Sequence, residues 1–96
     1  MRFEWDEAKN RQNLAQHGIR FETAVLAFED SQSLSEQDRV IDDEERWQTI
    51  GSIGVLVVLV AHLWWDEDGE EVIRLISARR ASSAERKSYE AHKKSG

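Results

Sequence analysis

The chain has no cysteine, no proline and only five glycines in 96 residues. The first absence excludes disulfides, thiolate metal sites, redox pairs and a cysteine nucleophile. It also suits a reducing cytoplasm, since secreted domains of this size often need cross-links. The second excludes Pro-rich linkers, and so few glycines leave no flexible tether. No apolar run is long enough to span a membrane. The longest, Ile53 to Trp65, is broken by Gly54 and His62 and falls short of the ~20 residues required. The opening Met1-Arg2-Phe3-Glu4-Trp5-Asp6-Glu7 has acids where a signal peptide needs an apolar core. The expectation is a cytoplasmic protein with no membrane contact. Excess positive charge is lacking too: the formal net charge is −6, which argues against a protein that coats nucleic acid.

That average hides an uneven distribution. Residues 1–48 carry six Lys/Arg against twelve Asp/Glu. From Arg74 onward seven Lys/Arg face only Glu85 and Glu90, a local net of +5. Hydrophobic residues at 40% and charged residues at 33% suit one globular domain over residues 1–96 with a single core.

Periodicity predicts an α+β domain, a mostly antiparallel β-sheet with two N-terminal helices and one C-terminal helix. Phe3 and Trp5 alternate with charged neighbours in a short first strand. Asp6 caps a helix through His17, and Gly18 stops it. Phe21, Ala24, Val25 and Phe28 fall at i, i+3, i+4 and i+7, a second helix. Ser33 to Val40 reads as a polar edge strand, Asp42 to Glu45 as a turn and Arg46 to Ile53 as a strand. Gly51-Ser52-Ile53-Gly54 closes a hairpin into Val55 to Ala61, which is apolar on both faces and therefore central. Asp66 to Glu70 is a hairpin loop and Glu71 to Ser77 the next strand. Ser82 and Glu85 form a capping box that opens a helix to about Lys94. Its apolar surface is only Ala84, Tyr89 and Ala91, so it docks loosely or relies on a partner.

Metal and cofactor chemistry find little support. His17, His62 and His92 lie far apart, the acidic loop lacks the remaining positions of a calcium loop, and no phosphate or dinucleotide motif is present. No cofactor or metal is expected. The arginines offer more. Regular alternation would put Arg74 and Arg80 on one face of their strand and Arg79 on the other, converging if the chain bends at Ala78. Glu85 and Tyr89 follow at i, i+4 on the next helix. RNA can cut itself through its 2′-hydroxyl, given a base, an acid and cations on the phosphoryl oxygens. Arginine supplies the cations through bidentate donation, and Tyr89 or Glu85 can move a proton. Each also has a structural reading: a surface arginine, a capping glutamate, a tyrosine anchoring the last helix. His17 can complement its helix dipole or face a cleft, with Lys9 and Asn13 on the same helix face. Trp5 and Trp47 read as core residues.

Three segments in order resemble the BrnT toxin family. They are Phe3-Glu4-Trp5-Asp6-Glu7-x-Lys9-x-x-x-Asn13-x-x-x-His17-Gly18-x-x-Phe21-Glu22-x-Ala24, then Arg46-Trp47-Gln48-Thr49-Ile50-Gly51, then Val72 to Arg79 with Ala81, Glu85 and Tyr89. The resemblance implies a RelE-like fold and a metal-independent endoribonuclease that arrests growth as the toxin of a type II toxin–antitoxin pair. It implies a BrnA-like ribbon-helix-helix antitoxin, a toxin–antitoxin heterotetramer, and contact with operator DNA only through the antitoxin. By motif position it points to Arg74, Arg79, Tyr89 and Glu85 as catalytic. Arg46, Arg80, Lys9 and His17 are the candidates for binding RNA. The alternative is a non-catalytic module that docks an acidic partner or DNA through the basic C-terminal segment.

Overall fold

The computed structural model describes residues 1–95. The elements run β1 (Arg2–Glu4), α1 (Glu7–His17), α2 (Phe21–Ala24) with a 3-10 continuation (Val25–Glu29), β2 (Leu34–Ile41), β3 (Glu44–Ile53), β4 (Leu56–Glu67), β5 (Glu70–Arg80) and α3 (Ser83–Ser95). The α+β class and the order of elements are as expected. Local chemistry explains the helix ends. The Asp6 carboxylate accepts the Ala8 N–H at 2.8 Å, and Gly18, at φ 73°, closes α1 by donating to the Leu14 carbonyl. Trp5 falls outside β1 because the chain turns at Asp6 to start the helix; its ring packs edge-on against Phe21 at 5.9 Å. The second helix is not one continuous α-helix. After Ala24 it tightens into 3-10 geometry, which brings the Ala27 carbonyl hard against Gly51.

Five strands form one sheet in the order β1-β5-β4-β3-β2, with β4 at its centre. Only β1 runs parallel to its neighbour. All three hairpins have two-residue loops, whose primed turns match the twist of the strands. Asp42 and Asp43 both have positive φ, as do Asp68 and Gly69, while Gly54 supplies the positive φ of the loop it shares with Val55. These tight loops correct the expected boundaries. Glu44 and Glu45 pair with Ile41 and Val40 in the ladder rather than forming the turn. Val55 is 98% exposed at a turn tip instead of opening the buried strand. Gly51 lies inside β3, where a Cβ would collide with the Ala27 carbonyl oxygen. Close packing, and not a turn, is what requires glycine there.

One face of the sheet carries the main core: Val58, Val60, Ile73, Leu75 and Ala78 pack under Ile19, Phe21, Ala24 and Ala27. Two buried asparagines fasten α1 over this face. Asn10 accepts the Phe21 N–H and donates to Glu7 and Glu22. Asn13 donates to the carbonyls of Ile19 and Ala78 and accepts the Ala78 N–H at 3.0 Å. Its amide thereby acts as a short extra strand on the β5 edge beyond the reach of β1, satisfying backbone groups that burial would otherwise leave costly.

His62 is fully buried on the same face. Its Nε2 lies 2.8 Å from the Thr49 hydroxyl, which lies 2.8 Å from Ser35 Oγ, and its Nδ1 is 3.1 Å from the Leu63 carbonyl. With Nδ1 carrying the proton, a neutral imidazole satisfies the whole chain. Burial pushes the pKa of His62 below its ordinary 6.5, against a smaller opposing effect of the Leu63 carbonyl. The unfolded chain therefore binds the proton more readily, and stability falls on acidification. The contribution is complete above about 6.5 and is lost as pH drops from there through the folded value. Urea midpoints should decrease between about pH 7.5 and 5.5, and His62→Gln should flatten that slope. An equal slope in both proteins would count against a neutral buried imidazole.

Candidate active site

The other face of the sheet is covered at one end only. There α3 lays Tyr89 on Ile50, Val57 and Leu59. Beyond that contact Gln48, Ala61, Leu63 and Arg74 are half-exposed. Which β5 side chains reach this open face is decided by a bulge. Ala61 pairs with Ser77 but His62 pairs with Leu75, so Ile76 is an extra residue on β5. The bulge shifts the alternation by one. Ile73, Leu75 and Ala78 all enter the helix-covered core. Arg74, opposite Leu63, and Arg79, opposite Leu59, both lie on the open face. This corrects the regular alternation, which put them on opposite faces and grouped Arg74 with Arg80.

Each arginine has an acidic partner at a different element. Arg74 Nη1 meets Glu4 of β1 at 3.2 Å. Arg79 forms a two-pronged pair with Glu85, Nη1 to Oε1 at 2.8 Å and Nη2 to Oε2 at 2.9 Å. Glu85 also accepts the Ser82 N–H at 2.8 Å and returns its own N–H to the Ser82 hydroxyl. This is the expected capping box, with Arg79 added. The Arg79 hydrogen bonds, opposed by burial and helped by Ser82, hold the Glu85 carboxyl at about 2. In this state the carboxylate is a poor proton acceptor and serves as a latch on the guanidinium. The fork it fills has the shape that also fits a phosphate.

The remaining basic candidates divide. Arg46 lies two residues before Gln48, on the open face, with its Nε buried and unpartnered and Glu44 3.8 Å from Nη2. Lys9 and His17 line one groove of about 140 Å³ with Asn13, Ile76 and Ser77, beside the bulge between Arg74 and Arg79. The polar wall expected on α1 is therefore present, although its middle member, Asn13, is committed to the backbone. Arg80 faces away, in a separate concavity with Val55, Ala81 and Arg86. Trp5 and Trp47 are structural: Trp5 packs on the main core, and Trp47 meets Trp64 edge-on at 5.1 Å.

A family model described as "Ribonuclease toxin, BrnT, of type II toxin-antitoxin system" matches residues 5–85. The chain belongs to the BrnT toxin family. It is a ribonuclease toxin of a type II toxin–antitoxin system, a membership that entails an RNA substrate and an antitoxin partner. No individual curated protein matches it. The BrnT match covers Lys9, His17, Arg46, Arg74, Arg79 and Glu85, and ends before Tyr89.

Tyr89 sits apart from the arginines in chemistry as well. Its ring is 1% exposed, and its hydroxyl donates to Asp30 at 2.5 Å. Asp30 also accepts from the Ser52 N–H and hydroxyl and from the Gln32 N–H. Burial alone would raise the Asp30 carboxyl, but the donors, Tyr89 foremost, outweigh it and bring the value to about 2. Burial, reinforced by the Asp30 charge, pushes the phenol upward. In this BrnT toxin a protonated Tyr89 thus anchors α3 to the end of β3. Nothing local in the sequence marks Asp30, because its Tyr89 partner lies 59 residues away. Tyr89→Phe should cost roughly 1.5–3 kcal/mol of stability, the range for a hydrogen bond to a charged group, and leave RNA cleavage within a few-fold of wild type well below the melting temperature. A hundredfold loss of cleavage with unchanged melting would instead make Tyr89 a proton-transfer group.

Proposed function

We propose that the toxin is a metal-independent endoribonuclease in which Arg74 and Arg79 grip the scissile phosphate on the open sheet face. The observation that carries this reading is their placement on one face by the Ile76 bulge. Two guanidiniums supply the positive charge that in-line attack requires. The RNA 2′-oxygen bonds to phosphorus as it loses its proton to a base. The P–O5′ bond breaks, and an acid returns a proton to the 5′-oxygen. Negative charge that builds on the non-bridging oxygens meets the arginine N–H groups.

The latch supplies the base. A phosphate that takes over the Arg79 fork releases Glu85, which keeps its Ser82 contacts and recovers the basicity that Arg79 suppresses. In this reading Arg46 on the open face, and Lys9 and His17 in the groove at Ile76 and Ser77, contact flanking RNA, while Arg80 stands outside. An imidazole can donate or accept through either ring nitrogen, so His17 is the second candidate for proton transfer.

In this reading the fold is RelE-like and the cleavage arrests translation and growth in the cytoplasm. The neutralising partner is a BrnA-like ribbon-helix-helix antitoxin, assembled with the toxin as a heterotetramer that reaches operator DNA only through the antitoxin. Arg79→Ala should lower the cleavage rate roughly 10²- to 10³-fold, the scale for losing one preorganised donor, and should abolish growth arrest on induction without antitoxin. Wild-type cleavage should persist in excess EDTA. Equal arrest by both proteins, or cleavage abolished by the chelator and restored by a divalent ion, would overturn the mechanism.

A further inference from the structure

The basic C-terminal segment does not form one surface. Arg74 and Arg79 occupy the open sheet face, and Arg80, Arg86, Lys87 and Lys94 occupy another. Arg86 joins two surfaces there. One is the exposed face of α3 that carries Ser83, Arg86, Lys87, Glu90, Ala91 and Lys94. The other is a concavity of about 440 Å³ lined by Val55, Leu56, Val57, Arg80, Ala81 and Arg86. The helix positions follow i, i+3, i+4, i+7, i+8 and i+11, the side of α3 turned away from Tyr89. Among the described residues none of these four cations is in an ion pair. In a protein of net charge −6 this is a concentration of unpaired positive charge, with Glu90 the only acid framing it.

We infer that this surface is where the antitoxin docks, through a segment of alternating acidic and apolar side chains. The inference rests on the antitoxin-partner reading and is independent of the RNA chemistry. Charge complementarity selects the acidic character. The apolar character follows from Val55, 98% exposed at a hairpin tip, with Ala81 and Ala91 beside it. RNA is a poorer occupant, because sequence-tolerant binding of single strands uses aromatic rings for stacking and no aromatic residue lines either surface. The position is also consequential. Arg80 is adjacent to Arg79, and α3 carries Glu85, so a docked segment touches both the strand end and the helix that hold the latch.

The test uses the full chain, its cognate antitoxin, and a single-stranded RNA oligonucleotide. The charge-reversed variant R86E/K87E/K94E changes only exposed helix positions, and its melting curve checks the fold. Val55→Asp, at the turn tip, is an independent second variant. Calorimetry should show antitoxin binding weakened about tenfold or more in each, more steeply at low salt for the charge reversal. RNA cleavage should stay within a few-fold of wild type. Wild-type affinity in both variants would overturn the docking surface alone. Loss of cleavage with antitoxin affinity intact would assign the surface to RNA and overturn it too. Failure of the wild type itself to bind the antitoxin would overturn the partner reading, and the docking surface with it.

Discussion

The open face of this toxin's sheet depends on one extra residue in β5. Ile76 interrupts the pairing with β4, and just past it Asn13 binds both the N–H and the carbonyl of Ala78. On the other edge of β5 that amide supplies the partners that β1 does not reach, buried where water cannot provide them. Arg74 and Arg79, five residues apart, then share a face that regular alternation would deny them. Leu75 and Ala78 share the opposite one, so the core also depends on the bulge. Without this irregularity the two arginines would lie on opposite faces.

The second organising feature is the separation of charge at the strand end. Arg79 and Arg80 are neighbours in sequence but line different surfaces, and Glu85 takes only the first of them. A carboxylate held at about 2 by an arginine is a helix cap and, in the proposed mechanism, a stand-in for phosphate. It keeps the guanidinium oriented without substrate, a form of preorganisation. The net charge of −6 is compatible with the proposed RNA chemistry for the same reason: acids on β1 and α3 pair with the two arginines, and a phosphate of the polyanionic strand would compete for the same donors.

Much of the fold was legible because its signals are local. Asp6 and Gly18 bracket α1, Ser82 and Glu85 open α3, and the two-sided apolar run marks the central strand. Each rests on residues within a few positions of one another. The features that were not legible are set by residues distant in the chain. No glycine or proline marks Ile76 as a bulge, and the Asn13 side chain that satisfies the nearby edge is 65 residues from Ala78. Gly51 looked like a turn residue because the Ala27 carbonyl that crowds it comes from another element. Val55 looked buried because its composition matches the strand it precedes; only the two-residue loop geometry moves it into solvent. The arginines, Glu85 and Tyr89 stand out in the sequence, but their partners do not. Those partners divide the set into two arginines on the open face, the carboxylate that holds one of them, and an anchor for α3.

The central claim is that Arg74 and Arg79 act on one phosphate. A double-mutant cycle on RNA cleavage, with Arg74→Ala, Arg79→Ala and both together, measures this directly. If they grip the same group, the double variant loses less than the product of the single losses, with a coupling of about 0.5–3 kcal/mol. Additivity within about 0.3–0.5 kcal/mol is what independent arginines on opposite faces would give, and it would contradict the account.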